Sequence, residues 1–548
     1  MTAALVDRGG PTSTVRTPSE RFVRTGLLLR LMVRRERLVA AISVVVFVLL
    51  NVSTAASISS MYPTAQQRAG AAAGLGGNAA FRFLLGPLDN TDSAAALTVW
   101  RAGLFMVAAL AVCVVLLVVR QTRKEEELGR AELVRAGVTG PLAPPAAAAI
   151  VATLFSVLIA AGMSVMLFPL GAGWPDVLAV FAQYATTGMA AAGVALVTAQ
   201  VAKTSHIANL TAASVVLAGY LLRGSADAVG GWGWLRWLTP MGWAEMIDPF
   251  GDNNFLFALA SLAVFAAGVG LAGVLATRRD MDAGLIAPRP GPASSARLSS
   301  VGLVVTRLTL PLLGSWVGVL VAYGLIVGFM QPSVDELAKG NSQFGDVVRQ
   351  SGVDADLGTL FGLTMMGFFA VAASAWAVNL ATRMRGEENG SRTELLLTTP
   401  TSRTRYLLDH AVLAAAGVVA IMLAAAAALT LGNGIAGGDW ASAAGDTLSS
   451  AVVQIPAALV MSGIAVMLYA IRPALVPVGW LLVIAALFLG PLSGMFDLPR
   501  WARDLSPFTH TPLVPVQPMS WPPVLVMLCL AVVFTVAGWM VFRRRDIG

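Results

Sequence analysis

The stretch RKEEELGRAELV at residues 123–134 returns as RGEENGSRTELL at residues 385–396, an offset of 262. In register, Arg123 meets Arg385, Glu125 meets Glu387 and Glu126 meets Glu388. Further on, Arg130 meets Arg392, Glu132 meets Glu394 and Leu133 meets Leu395. Two more echoes accompany it. RRDM at 278–281 returns as RRDI at 544–547, offset 266, and WLTPMG at 237–242 returns as DLSPFT at 504–509, offset 267. A charged motif that recurs with its neighbours at nearly one spacing marks an internal duplication.

The 548 residues are 57% hydrophobic and only 12% charged. A soluble domain carries about 25% charged residues. So much apolar surface belongs in a bilayer. Cys113 and Cys529 lie inside apolar runs and read as small core residues, not as a disulfide or metal framework. Only three of the 37 basic residues are Lys, and the Arg-, Ala-, Val- and Gly-rich composition points to a GC-rich bacterial genome. Residues 1–37 are polar and basic, too long and charged for a cleaved signal peptide. The first apolar run therefore reads as a retained membrane helix.

A membrane span needs about 20 mostly apolar residues. Twelve stretches qualify. The first half holds 38–57, 100–119, 146–167, 177–201, 207–222 and 255–277; the second holds 310–330, 360–382, 411–431, 448–471, 474–489 and 524–542. The fifth and eleventh are short, and both are candidates for a broken or re-entrant course. The expected fold is an all-α polytopic membrane protein with about twelve transmembrane helices in two homologous six-helix halves. Its parts are a cytoplasmic N-terminus with an interfacial helix (1–37), a first half (38–277), a linker (278–309), a second half (310–542) and a cytoplasmic tail (543–548). With both termini inside, the inner segments carry 28 of the 37 basic residues, as the positive-inside rule requires.

No Asp or Glu falls within these twelve stretches, which leaves no intramembrane carboxylate for an ion or proton path. Ahead of the first span, residues 19–39 read as a basic amphipathic helix capped by Ser19. Phe22, Leu29, Met32 and Val33 fall on one side, and Arg30, Arg34 and Arg37 on another. The linker contains APRPGPASS, a flexible Pro-rich joint. GGWGWLRWLTPMGW at 230–243 has four Trp, which suits a water–lipid boundary; its Pro and Gly argue against one straight helix. Glu245, Asp248 and Asp252 follow and are expected to face water. The matching stretch is 491–523.

Enzyme signals are poor. His206, His410 and His510 are not at metal-ligand spacing and read as surface or interface residues. The chain has no G-x-S-x-G, no H-E-x-x-H and no G-x-x-x-x-G-K-[ST]. Without an acid in the spans or a phosphate-cradling loop, the driving force is expected from a separate ATPase acting on inner loops. The duplicated charged loops fit that role. A helix from Glu125 puts Leu128 and Glu132 on one face, an amphipathic element able to dock on a soluble partner. Two copies would serve two ATPase subunits.

On these residues the chain resembles the permease subunits of ABC-2-type exporters, in the large fused, tetronasin-type form of actinobacteria. The resemblance covers essentially the whole 6+6 length. It implies a type V-like exporter architecture in the bacterial cytoplasmic (inner) membrane, with two copies of a separate ATP-binding subunit as partners. It implies no cofactor in this chain, ATP and Mg being held by that partner, and no nucleic acid. Residues Glu125, Glu126, Arg130 and Glu132, with Glu387, Glu388, Arg392 and Glu394, would form the coupling helices. The segments at 237–240 and 505–507 would form re-entrant caps. One departure stands out: Asn389, Gly390 and Ser391 replace Glu127, Leu128 and Gly129, so the two contacts need not be equal.

The implied mechanism is alternating access, with the halves rocking as the ATPase dimer closes. An amphiphilic substrate would meet Phe105 and Met106 in the second span and Phe361, Met365, Met366, Phe368 and Phe369 in the eighth, since Met and Phe make an adaptable apolar wall. The alternatives are a proton-coupled antiporter, a lipid or glycan exporter of the same class, and a membrane scaffold without transport.

Overall fold

The computed structural model describes residues 20–75, 79–130, 132, 139–228, 231–278, 300–340, 356–493 and 499–546. Ser19, Leu133, Val134 and linker residues 279–299 lie outside them. Among the described residues every regular element is helical. The chain divides into two compact units, Met1–Pro290 and Gly291–Gly548.

The first unit contains α1 (Thr25–Met61), α2 (Ala65–Leu75), α3 (Ala79–Leu85), α4 (Ala94–Gln121) and α5 (Arg123–Glu127). It continues with α6 (Ala143–Val165), α7 (Trp174–Val201), α8 (Ser205–Ala228), α9 (Pro240–Met246) and α10 (Leu256–Arg278). The second contains α11 (Val301–Gly340), α12 (Leu357–Asn389), α13 (Arg392–Leu397), α14 (Arg403–Ile435) and α15 (Trp440–Ile471). It ends with α16 (Val476–Leu489), α17 (Arg500–Arg503) and α18 (Trp521–Arg544). Eleven described helices are long and apolar enough to cross a membrane; the remaining apolar stretch, Pro473–Leu489, is shorter. The protein is an all-α, polytopic membrane protein.

The two units sort their helices alike. The first and sixth long helices, α1 and α10 or α11 and α18, are the most exposed, while α4 and α7 or α12 and α15 are largely buried. Exposed rows such as Leu38, Ile42, Val45 and Leu49 on α1 are apolar. Such rows are compatible with lipid and not with water. The fourth and sixth long helices cross at glycines. A Cβ on Gly268 of α10 would stand 2.6 Å from the backbone of Gly193 on α7. In the second unit a Cβ on Gly463 of α15 would stand 2.8 Å from the Ala531 carbonyl oxygen, and one on Gly538 of α18 3.1 Å from Met467 Cα. Gly193 and Gly463, and Gly268 and Gly538, are each 270 residues apart. With no hydrophobic force between helices in lipid, small residues that admit close backbones carry this packing.

Several expectations change. The basic amphipathic helix and the first span are one continuous helix, α1, and its buried face is Leu28, Met32 and Glu36; Phe22 and Val33 are exposed. The fifth span is not short. The helix runs to Ala228 and takes in Arg223 and Asp227, because hydropathy windows stop at the first charge. Carboxylates therefore do lie on the long helices, Glu36 and Asp227 among them. Residues 301–309, read as linker, are the first turns of α11. Cys529 is exposed on α18 and not in a core, while Cys113 is half-buried. His410 is buried, its Nδ1 2.8 Å from the Tyr406 carbonyl oxygen.

Gly268→Leu is expected to destabilise the first unit by about 1–3 kcal/mol, the usual cost of overpacking. Gly270→Leu, on the same helix with nothing within 4 Å, serves as the control. Thermal unfolding in detergent checks this: the melting temperature should drop for the first variant only, and equal drops would contradict the crossing.

Candidate functional site

In the first unit α4 ends at Thr122, whose hydroxyl donates back to the Val118 carbonyl at 2.7 Å and competes with the ladder. The five-residue α5 then turns across the unit's end. Arg123 is fully buried there. Its Nε donates to the Lys203 carbonyl at 2.8 Å, just past the end of α7, and its guanidinium holds Glu126 at 2.7 Å. Glu127 accepts the Ser205 backbone N–H and hydroxyl, both at 2.6 Å, and so caps α8. The loop thereby clasps the α7–α8 turn from both sides. Arg35 reaches Glu125 at 2.9 Å, and Arg120 and Gln121 both donate to the buried Glu36 of α1. The backbone N–H of Leu142 and of Gly140 donate to Arg21 and Val23, which bring the N-terminal turn to the same end.

In the second unit α12 runs unbroken to Asn389. Glu388, in register with Glu126, accepts the Tyr469 hydroxyl at 2.7 Å and both of its oxygens are held by Arg545. Arg545 also donates to the Tyr469 carbonyl at 2.6 Å, near the end of α15, and lies over the rings of Tyr469 and Phe542. The device resembles that of the first unit: an arginine binds the loop's glutamate and a backbone carbonyl, here within the last turn of the fourth long helix and there in the turn just past it. The source of the arginine differs. Arg123 comes from the loop itself, Arg545 from the C-terminal tail.

Both loops then turn at the same aligned position, Gly129 at φ +68° and Ser391 at φ +55°. The left-handed turn is natural for glycine and strained for serine. Around this turn several motif residues are exposed. Leu128, Arg130 and Glu132 are exposed in the first copy; Arg392, Glu394 and Leu395 are exposed in the second. Arg383 bonds Glu387 at 3.1 Å and the Leu308 carbonyl at 2.6 Å. The eight motif residues thus divide. Glu126, Glu387 and Glu388 are bound within their own unit, as is Glu125, which Arg130 also meets at 3.3 Å. Glu132, Arg392 and Glu394 are exposed, and Arg130 is exposed while paired with Glu125. Of the apolar wall residues, Phe105 is exposed and Met106, Phe361, Met365 and Phe368 are half-buried. Met366 and Phe369 fill the core of the second unit, the latter edge-on to Tyr323.

The third echo has a structural meaning. The Thr239 hydroxyl donates to the Gly219 carbonyl at 3.4 Å, and the Ser506 hydroxyl to the Ala486 carbonyl at 3.3 Å. Donor and acceptor both shift by 267 residues. Each closing segment is thus pinned to the fifth apolar helix of its unit, α8 or the shorter α16. In the first unit it consists of a 3-10 turn at Gly233–Leu238 and α9, with Trp232, Trp234 and Trp237 exposed.

Glu245, expected in water, is instead buried beside a network the sequence did not reveal. Arg223 lies 3.2 Å from Asp227 and 3.4 Å from Glu245, and donates to the Phe83 carbonyl at 2.8 Å. Arg236 closes the ring at 3.1 Å from Asp227 and 3.2 Å from Glu245, without aligned hydrogen bonds. Burial first, then the Asp227 carboxylate, drive the Glu245 carboxyl up to about 8, against the pull of Arg223 and Arg236. Asp248 is also raised, by burial. Among the described residues no group of three or more His, Cys, Asp or Glu is placed to hold a metal.

Membrane-length helices in two similarly built units, with charged loops braced at helix ends, define a multi-pass membrane permease. A family model described as the C-terminal domain of the multidrug efflux system permease Rv1217c matches residues 298–543. Over 554 aligned positions, spanning all of both chains, the protein is 32% identical to the multidrug efflux system permease protein Rv1217c of Mycobacterium tuberculosis. The chain belongs to this family of efflux-system permeases.

Two outcomes are expected. Removing Arg545 leaves Glu388 without its cation, a loss of about 1–3 kcal/mol for a buried partner. Arg545→Ala should therefore speed amide exchange across residues 386–397, while the exposed Arg544→Ala should not; unchanged exchange in both would dismiss the brace. The second concerns pH. An acid that binds its proton more tightly when folded loses folding stability as pH climbs from the unfolded value near 4.5 to about 8. The melting temperature should fall across that window, and Glu245→Gln should flatten the fall. Identical slopes would refute the burial of Glu245.

Proposed function

We propose that this chain is the membrane subunit of an ATP-driven exporter of the ABC-2, tetronasin-type class. It works with two copies of a separate ATP-binding subunit, which hold the ATP and Mg. The cargo is an amphiphilic small molecule, an antibiotic or drug, moved outward across the bacterial cytoplasmic membrane. The observation that carries this reading is the division of the charged loops. One face of each loop is spent on holding its own unit, through Glu126 with Arg123 and Glu388 with Arg545. The other face offers apolar and charged groups, Leu128, Arg130 and Glu132 or Arg392, Glu394 and Leu395, to a partner. A rigid, braced element is what transmits a push from a soluble motor to helices. The relative's name, multidrug efflux system permease, places that protein in a system of parts. The two-half domain plan, with both termini cytoplasmic, belongs to this reading, its first boundary now falling within α1 and its second half opening at Val301. Phe105, Met106, Phe361, Met365 and Phe368 are the wall residues it retains for cargo.

A proton-driven reading draws on one observation, the buried Glu245 and Asp227 among two arginines. A pH gradient that drives transport without ATP would favour it.

Exchanging exposed groups separates docking from folding. Glu132→Arg combined with Glu394→Arg, or Leu128→Asp combined with Leu395→Asp, should weaken capture of the ATP-binding subunit at least about tenfold, the effect of a 1.4 kcal/mol loss. The variants should remain monodisperse in detergent. Undiminished capture and transport would remove the loops from the contact.

A further inference from the structure

We propose that the first unit carries a binding site for an anionic amphiphile, a phosphate or carboxylate headgroup on an apolar tail. The site is a cavity of about 300 Å³ formed by α1, α4, α5, α6 and α8. That volume reaches the range of small-molecule sites. Its two ends differ in chemistry. At one, Arg120 and the exposed Lys124 stand with Ser205 and Asn209. At the other, Cys113, Leu116, Leu117 and Phe155 make an apolar wall, with Val39 of α1 alongside. Arg120 and Cys113 are seven residues apart on α4, roughly 10 Å along the helix, so headgroup and chain have separate places.

The nearby carboxylates are already engaged. Glu36 takes Arg120 and Gln121, and Glu127 takes the Ser205 N–H and hydroxyl. Arg120 keeps 42% of its side chain exposed while it holds Glu36, so its guanidinium can also meet an anion in the cavity. Lys124 adds a point charge suited to a phosphate. Leu116 and Val39 are exposed on the surface of the unit, so a chain enters the cavity from the side. The site lies within one unit and depends neither on the ATP-driven reading nor on the cargo wall proposed above.

Cys113 reports on occupancy. The full chain carrying Cys529→Ser is purified in dodecyl maltoside, leaving one thiol, and its alkylation by a small maleimide is timed. Dodecyl phosphate and dodecanoate should slow the reaction roughly threefold at twice their Kd. Dodecyltrimethylammonium should not, and Lys124→Glu should abolish the protection. Protection by phosphatidylglycerol as well assigns the site to membrane lipid; protection by the single-chain anions alone assigns it to a free amphiphile. Equal protection by the cationic detergent, or full protection in Lys124→Glu, overturns the proposal. Should Cys113 resist alkylation, native mass spectrometry replaces it. Bound phosphatidylglycerol or dodecyl phosphate should be lost in Lys124→Glu and in the cavity-filling Leu116→Trp, and unchanged retention in both overturns the proposal.

Discussion

An arginine that satisfies two partners at once is the interaction on which the rest depends. The C-terminal end of a helix presents carbonyls without donors and a partial negative charge. A loop glutamate close by brings a full negative charge. One guanidinium, with its fork of donors, answers both. Arg545 does so with the Tyr469 carbonyl and Glu388; Arg123 binds Glu126 likewise, and its carbonyl partner is Lys203 in the turn just past α7. The consequence is mechanical. The loop after the second long helix is fixed to the end of the fourth, and a load on one is felt by the other. The exposed residues beyond Gly129 and Ser391 are then held out on a rigid support.

The duplication has kept this device while changing its parts. In the first unit the brace is local, and Glu127 adds a cap on α8. In the second, the brace comes from the far end of the chain, and Asn389, Gly390 and Ser391 supply a turn where Glu127, Leu128 and Gly129 stood. The glycine crossings and the hydroxyl bonds of Thr239 and Ser506 were kept without such exchange. Backbone approach admits one solution, the absence of a side chain, whereas a charge can be supplied from anywhere within reach. That contrast explains why some repeats are strict and others only functional.

Much of this was legible in the sequence because charges are rare in so apolar a chain. The repeated loop, the twin closing segments and the membrane character are all visible as departures from hydrocarbon. What was hidden has physical reasons. Arg545 meets a glutamate 157 residues away, and no local spacing announces such a pair. Glu36 sits in a run of arginines and looks solvated, yet α1 turns it inward. Asp227 and Glu245 escape because hydropathy windows end where charge begins, while the helix and its closing turn continue. The exposed Cys529 and the buried His410 show the same limit. In lipid, apolar surroundings do not mean a protein core, and a polar ring near a helix end does not mean water.

In the proposed exporter, two braced loops present their free faces to a separate motor. The most direct measurement is the native mass of the tagged chain extracted gently from its own membranes, with every bound subunit identified. The account predicts one copy of this chain with two copies of an ATP-binding protein. A chain that comes out alone and still moves cargo when reconstituted would contradict it.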